Sequence, residues 1–358
     1  MIHTPPLPLE ALQLAGNGTP RSLRCRVLQS PLAGVSDRIF RGLVRRWAPD
    51  ALLFTEMVNA TSLELGHGLM KVEELSSEAG PIGVQLFDHR PAAMADAARR
   101  AEAAGAFLID INMGCPVDKV AKKNGGSLLL RDCPATALLA ERIVKAVERA
   151  SGGRVPVTAK MRLGWDPEHM VAPDLARRLA DAGIAAVTVH GRYTVQFFSG
   201  QADWDAIGRV VEAVSSIPVI GNGDVVEPEH AKALIDRSGC AGIMIARAAL
   251  RTPWMFRRAA EHLATGTVGP DLSFNDKCRA ILRHIDLMER FAKPWYGVKR
   301  LNQGIAWYGR TMGHIKPLKE AVRTATTFEA MRSVIQDWMT PEREHVPAVL
   351  RGRETIDG

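Results

Sequence analysis

The chain has 358 residues, 46% of them apolar and 24% charged, with a formal net charge of +7. That length supports one large core plus a small second domain, and no apolar run approaches the roughly 18 residues needed to span a bilayer. The opening stretch has three prolines before Glu10 and no basic n-region, which argues against a secretory signal; residues 1–22 are expected to be a loose extension. The five cysteines, Cys25, Cys115, Cys133, Cys240 and Cys278, are odd in number and contain no C-x-x-C pair. That pattern argues against a disulfide framework or a structural zinc site and favours a reducing, cytoplasmic setting.

In chain order, short apolar runs fall at 27–34, 51–58, 82–87, 107–114, 155–162, 185–191, 217–224 and 241–247. Most are near-continuous in Val, Ile, Leu and Ala, as buried parallel strands are. Amphipathic stretches separate them: Val171, Leu175 and Leu179 recur at helical spacing, with Arg177, Arg178 and Asp181 elsewhere around that helix. Eight strands alternating with helices predict an α/β chain, a (β/α)8 TIM barrel over residues 23–268. A doubly wound open sheet is the alternative, weakened because no G-x-G-x-x-G follows the first strand.

Residues 264–273 are rich in Gly, Pro and Thr and read as a linker. Beyond it only helical signals remain, so a small C-terminal all-helical domain is expected over 269–340 and a mobile tail over 341–358. Ser273 with Asp276 makes one S-x-x-D helix start, with Cys278, Ile281, Leu282, Ile285 and Met288 behind it; Thr326 with Glu329 makes a second, followed by Met331, Val334, Ile335 and Trp338. Residues 274–340 hold twelve basic and six acidic side chains, so nearly all the excess charge lies here. A polyanionic partner or a solvated helical surface would each account for it.

In such barrels chemistry sits at the C-terminal ends of the strands. Polar residues collect there: Pro31, Leu32, Ala33 and Gly34 after the first run, then Glu56, Gln85, Asn112, Lys160, Arg162, His190, and Asn222-Gly223-Asp224. Any one of them could be a structural partner. Lys160 and Arg162 alternate within an apolar strand, so both point into one mouth, where two cations suit an anion or an electron-rich ring. Ala246-Arg247 precedes a helix expected near Ala248, whose free N–H groups would favour a phosphate. Cys115 lies between Gly114 and Pro116, in a loop rather than an apolar run, and a protonated thiol there could act as a general acid. Lys119, Lys122 and Lys123 precede Gly125-Gly126, a basic loop that could close over a phosphate backbone or simply be solvated.

The runs DINMGCPVDKVAKKNGGSLLL, KMRLGW, VHGRYTVQFFSG, PVIGNGD and GIMIARAAL, with PLAG near the start, resemble the bacterial tRNA-dihydrouridine synthases, closest to the B-type branch. The likeness covers about residues 26–338. It implies an FMN-binding barrel, reduced by NADPH or NADH, with a helical domain that binds tRNA and presents a D-loop uridine. By matching positions Pro31, Leu32, Ala33, Gln85, Lys160, Asn222, Gly223, Asp224, Ala246 and Arg247 would contact FMN. His190 would lie between flavin and substrate, Cys115 would donate the proton, and Asn112 and Arg162 would orient the uracil. Lys119, Lys122, Lys123, Lys299 and Arg300 would contact the RNA. The family usually has Gly-Arg where this chain has Ala246-Arg247, which bears on the phosphate geometry. No metal and no protein partner is implied, and a monomer is expected. Two other readings stand beside this one: an FMN barrel acting on a small molecule, like a dihydroorotate dehydrogenase, and a flavin-free RNA-binding barrel.

Overall fold

The computed structural model describes residues 12–14, 21–117, 120, 125–313 and 315–343. The apolar runs become parallel strands because both faces of each are covered, by helices outside and by side chains inside. They are β3 (Val27–Gln29), β4 (Leu53–Phe54), β6 (Ile82–Phe87), β7 (Leu108–Met113), β8 (Val157–Arg162), β9 (Val187–His190), β10 (Val219–Asn222) and β11 (Gly242–Ile245). They pair in the order β3-β11-β10-β9-β8-β7-β6-β4. The remaining seam, between β3 and β4, is closed by Gln29: its N–H donates to Leu52 O at 3.0 Å and its side-chain oxygen accepts from Phe54 N at 2.8 Å. The expected (β/α)8 barrel is thus present. Leu175 and Leu179, expected on the inner face of their helix, are buried in the helix Ala172–Asp181, and Arg177 and Arg178 are exposed.

The second strand is interrupted. Leu53–Phe54 and β5 (Val58–Asn59) both pair with β6, and Glu56 lies in the break between them. The Glu56 carboxylate accepts from Gly34 N and lies 2.9 Å from Lys71 Nζ. The break therefore ties the first two loops of the mouth together.

Two segments of the expected loose extension are ordered. β1 (Leu12–Leu14) and β2 (Arg21–Leu23) form an antiparallel pair. Leu12, Leu14 and Leu23 bury themselves against Leu28, Phe54, Leu108, Ile220 and Met244 inside the barrel. Arg21 Nη1 donates to Phe107 O at 2.8 Å and stacks on the Phe107 ring. Polar flanking sequence hid a three-leucine contribution that only the open lower end of a barrel could accept.

After the barrel come the helices Phe274–Phe291, Pro294–Tyr308, Lys316–Thr324 and Phe328–Asp337. Ser273 caps the first as expected, accepting from Asp276 N at 3.1 Å. The last begins one residue later than expected: Thr327, not Thr326, accepts from Ala330 N at 3.1 Å. Either threonine could cap locally; burial of Phe328 selects the register. Cys278, Ile281, Ile285, Met288, Leu301, Leu318, Met331 and Ile335 form their core, and it includes Ile39, Leu43 and Trp254 from the barrel side. The linker is pinned at Asp271, whose carboxylate takes Lys277 Nζ at 2.5 Å and Trp254 Nε1 at 2.9 Å.

Candidate active site

Pairing register sets the site in layers, because residues paired across parallel strands project to the same side. Gln85 pairs with Asp110 and Asp110 with Thr158; above them Asn112 pairs with Lys160; at the top Arg162 pairs with His190 and His190 with Asn222. Of these, Gln85, Asn112, Lys160, Arg162, His190 and Asn222 open into one cavity of about 740 Å³ at the C-terminal mouth, within the usual size range of small-molecule and cofactor sites. Pro31, Leu32, Ala33, Gln85, Asn112, Cys115, Lys160, Arg162, His190, Asn222, Gly223, Asp224, Ala246 and Arg247 all line it.

A hydrogen-bonded chain runs from the barrel interior to the Cys115 turn. Buried Asp110 accepts from Gln85 Nε2 and from Thr158 Oγ1, each at 2.7 Å. Gln85 Oε1 accepts from Asn112 Nδ2 at 2.8 Å, and Asn112 Oδ1 accepts from the N–H groups of Gly114 and Cys115 at 3.1 and 3.0 Å. Burial pushes the Asp110 carboxyl up to about 6, although the bonds from Gln85 and Thr158 and the charge of Lys160 pull the other way. Cys115 O in turn accepts from Ser127 N at 3.0 Å. That contact needs Gly126: its φ is +63° and a Cβ there would lie 2.6 Å from Cys115 O. Burial pushes the Cys115 thiol up, against the pull of Arg162 and Lys160, so the group is a protonated thiol at neutral pH.

The cations are held rigidly. Lys160 Nζ donates to Asn222 Oδ1 at 2.9 Å, and Asn222 Nδ2 to Met244 O at 2.8 Å. Burial, helped by Arg162, lowers the Lys160 ammonium to about 8. Arg162 Nε donates to Gly114 O at 2.8 Å and Nη1 to Tyr193 O at 2.9 Å, so it too grips the Cys115 turn. Burial, with Arg192 beside it, lowers its guanidinium to about 10. His190 is held well below the ordinary imidazole range by burial and then by Lys160, Arg162, Arg192 and Arg247. Its Nε2 lies 3.2 Å from Arg192 Nη1. A guanidinium can only donate, so this neutral imidazole accepts at Nε2 and carries its proton on Nδ1.

Three contributors escaped the sequence reading. Arg192, two residues beyond β9, has a buried side chain that donates to both carboxylate oxygens of Asp224 at 2.8 and 2.9 Å and to Gly200 O at 2.7 Å. Phe198 stands 5.5 Å from the Arg162 guanidinium and 5.6 Å from that of Arg247. Asp110 lay hidden inside an apolar strand. Only Arg192 left a signal, a charge in a Gly-rich strand exit with no helix to carry it. At the other side Gly223 has φ +122°, and a Cβ there would meet Ala202 Cβ at 2.6 Å, so only glycine lets the backbone turn so closely under His190. The expected helix after β11 does begin at Ala248, but Ala248–Arg251 is a single turn; its dipole is small, and Arg247 carries most of the positive potential there.

Two expected RNA contacts lie outside this cavity. Lys299 is exposed on the helix Pro294–Tyr308, and Arg300 Nη2 donates to Gly34 O at 2.9 Å. Lys119, Lys122 and Lys123 fall outside the described residues. All five cysteines are free thiols.

A closed parallel barrel whose C-terminal mouth holds a fixed ammonium, three guanidiniums, a neutral imidazole and a protonated thiol defines a (β/α)8 barrel with a site suited to an anionic ligand. The chain belongs to the dihydrouridine synthase family, whose profile, "Dihydrouridine synthase (Dus)", matches residues 28–339. It is 42% identical over 299 residues to a probable tRNA-dihydrouridine synthase 1 of Synechocystis, covering 84% of this chain and 82% of that one. To tRNA-dihydrouridine synthase B of Escherichia coli K12 it is 38% identical over 288 residues, 80% of this chain and 87% of the relative. Xanthomonas campestris tRNA-dihydrouridine synthase B is 35% identical over 92% of this chain and 98% of its own. Among solved structures the fold resembles morphinone reductase (TM-score 0.51, 16% identity, 76% of this chain and 93% of that one) and an old yellow enzyme homologue from Zymomonas mobilis (TM-score 0.51, 15%, 75% and 95%).

Proposed function

We propose that this chain is an FMN-dependent tRNA-dihydrouridine synthase that saturates the C5–C6 bond of a D-loop uridine. The observation that carries the reading is the Cys115 turn, fixed by Asn112 and Arg162 over a cavity that already holds Lys160, His190 and Arg247. The donor set suits FMN. Lys160 spends one proton on Asn222 and keeps two for a ring carbonyl or ring nitrogen; Arg247 and the close backbone at Gly223 suit a phosphate; Pro31, Leu32 and Ala33 offer an apolar wall.

When bound, FMN reduced by NADPH or NADH would supply a hydride to C6 of the uracil. The protein's part is the rest. Cys115 gives its thiol proton to C5, and the resulting thiolate is stabilised by Arg162 and Lys160 until it is reprotonated. Lys160 would offset negative charge on a reduced flavin held in this cavity, an electrostatic role that is largest in a dry site. His190, neutral, adds no competing acid. Asn112 has both amide ends committed within the chain, so its role is to position Cys115. A uridine inside folded RNA must leave its stack to reach this depth. Phe198, between two guanidiniums, supplies a flat apolar surface for it. A working site in the cytoplasm fits both the free thiols and a tRNA substrate.

Incubating the protein with NADPH and tRNA from cells lacking dihydrouridine, then measuring nucleosides by mass spectrometry, tests this. A uridine that gains two hydrogens is the expected outcome. No gain with flavin bound and reducible refutes the substrate.

A further inference from the structure

Among the described residues the exposed large aromatics fall in two places. Phe197 and Phe198 line the cavity and are accounted for by it. Trp295 and Tyr296 do not line it. They stand on the first turn of the helix Pro294–Tyr308, 68% and 40% exposed, ring centroids 5.9 Å apart and nearly perpendicular. Tryptophan is among the most heavily buried side chains on average. Leaving an indole in water costs transfer free energy that nothing in this fold recovers.

The charged residues of their own helix, Lys299 and Arg300, are both basic. Lys293 and Lys299 are exposed two residues before and four after Trp295, Arg290 is exposed near the end of the preceding helix with its guanidinium on the Phe291 ring, and among the described residues none of the three has an acidic partner within salt-bridge distance. The acids closest in sequence, Asp286 and Glu289, are both held by Arg332. The patch also lies near the site. Tyr296 and Arg300 share a helix face at i, i+4, about 6 Å apart along the axis, and Arg300 is bonded to Gly34 O, next to the cavity-lining Pro31–Ala33 stretch.

We propose that Trp295 and Tyr296 form a stacking platform for an unpaired nucleobase of the RNA whose uridine enters the cavity, with Arg290, Lys293 and Lys299 holding the adjoining phosphates. The proposal rests on the tRNA reading and adds a contact of a different kind to it. Phosphate contacts are screened by salt, whereas a base on an indole face contributes the same at every salt concentration. Aromatic faces interleaved with cations are how proteins hold unpaired bases. A second copy of the chain is a poor occupant, because a symmetric contact would bring two copies of a helix that carries only basic charges together.

The test uses the full-length, flavin-loaded protein and a fluorescently labelled tRNA lacking dihydrouridine. Trp295→Ala should weaken binding about tenfold or more, the order expected for losing one base–aromatic stack, without changing the slope of log Kd against log salt. Trp295→Phe should recover most of the loss. Lys293→Ala with Lys299→Ala should instead flatten the slope. Flavin content and its reduction by NADPH should be unchanged throughout. Wild-type affinity in Trp295→Ala overturns the platform and leaves the tRNA reading standing. So does a dimer that becomes a monomer in that variant at constant RNA affinity. If the wild-type protein binds no tRNA while its flavin is reducible, the tRNA reading falls and the platform with it.

Discussion

Cys115, the proposed proton donor, sits in geometry that other residues hold. Its N–H is held by Asn112, its carbonyl by Ser127, and the carbonyl before it by Arg162. Cys115→Ala removes the proton and leaves that scaffold, so uridine reduction should drop by at least about 10²-fold while flavin reduction by NADPH continues; normal turnover would exclude the donor role. Lys160 gives a pH test. Its ammonium is lowered to about 8, below the usual ~10.4, so the free protein loses this cation as pH rises through about 8. FMN phosphate stays dianionic over that range. FMN affinity measured by fluorescence quenching should therefore fall from pH 7 to 9, with the inflection absent in Lys160→Gln. Most strand-end residues were legible in the sequence, because a polar side chain at the end of an apolar run has one place to go in a barrel. Arg192 and Asp110 were not, because their partners, Asp224 and Gln85, come from other strands.

The hairpin of β1 and β2 shows the same limit for an element. Three residues per strand leave too little periodicity to read, and the leucines are separated by polar sequence. Burial supplies the missing information: Leu14 is 2% exposed against the lower barrel core. Leu14→Ala should cost about 2–5 kcal/mol, seen as a lower denaturant midpoint, while flavin affinity well below the transition is unchanged because the mouth lies at the opposite end. An unaltered midpoint would mean the hairpin is not docked in solution. The sequence ends the second strand at Glu56, and the break is there; it did not show that pairing resumes at Val58–Asn59, beyond the carboxylate that meets Gly34 and Lys71.

At the scale of the molecule, charge and core are shared between the two parts. Of the basic residues that set the C-terminal bias, Lys277 is fully buried on Asp271 and Arg332 is neutralised by two acids. The remaining surface cations are concentrated enough to matter, yet the helices are not a detachable unit. Truncation after Gly269 would strip cover from Ile39, Leu43 and Trp254 and take Asp271 away from Trp254 Nε1 and Arg258. The truncated chain should aggregate or unfold well below the full-length protein in a thermal scan. A soluble truncated barrel of unchanged stability would show that the shared core contributes little.

By itself the sequence determined the eight runs that build the barrel, the polar residues that gather at its C-terminal mouth and the helical character of the C-terminal part. These follow from local period and composition, which each segment carries alone. Tertiary structure decided which polar groups meet. Lys160 reaches Asn222 across 62 positions of sequence and Arg300 reaches Gly34 across 266. It also decided that the N-terminal leucines close the barrel floor and that His190 is neutral, because proton affinity depends on distances to charges from other strands, and no local pattern encodes a distance.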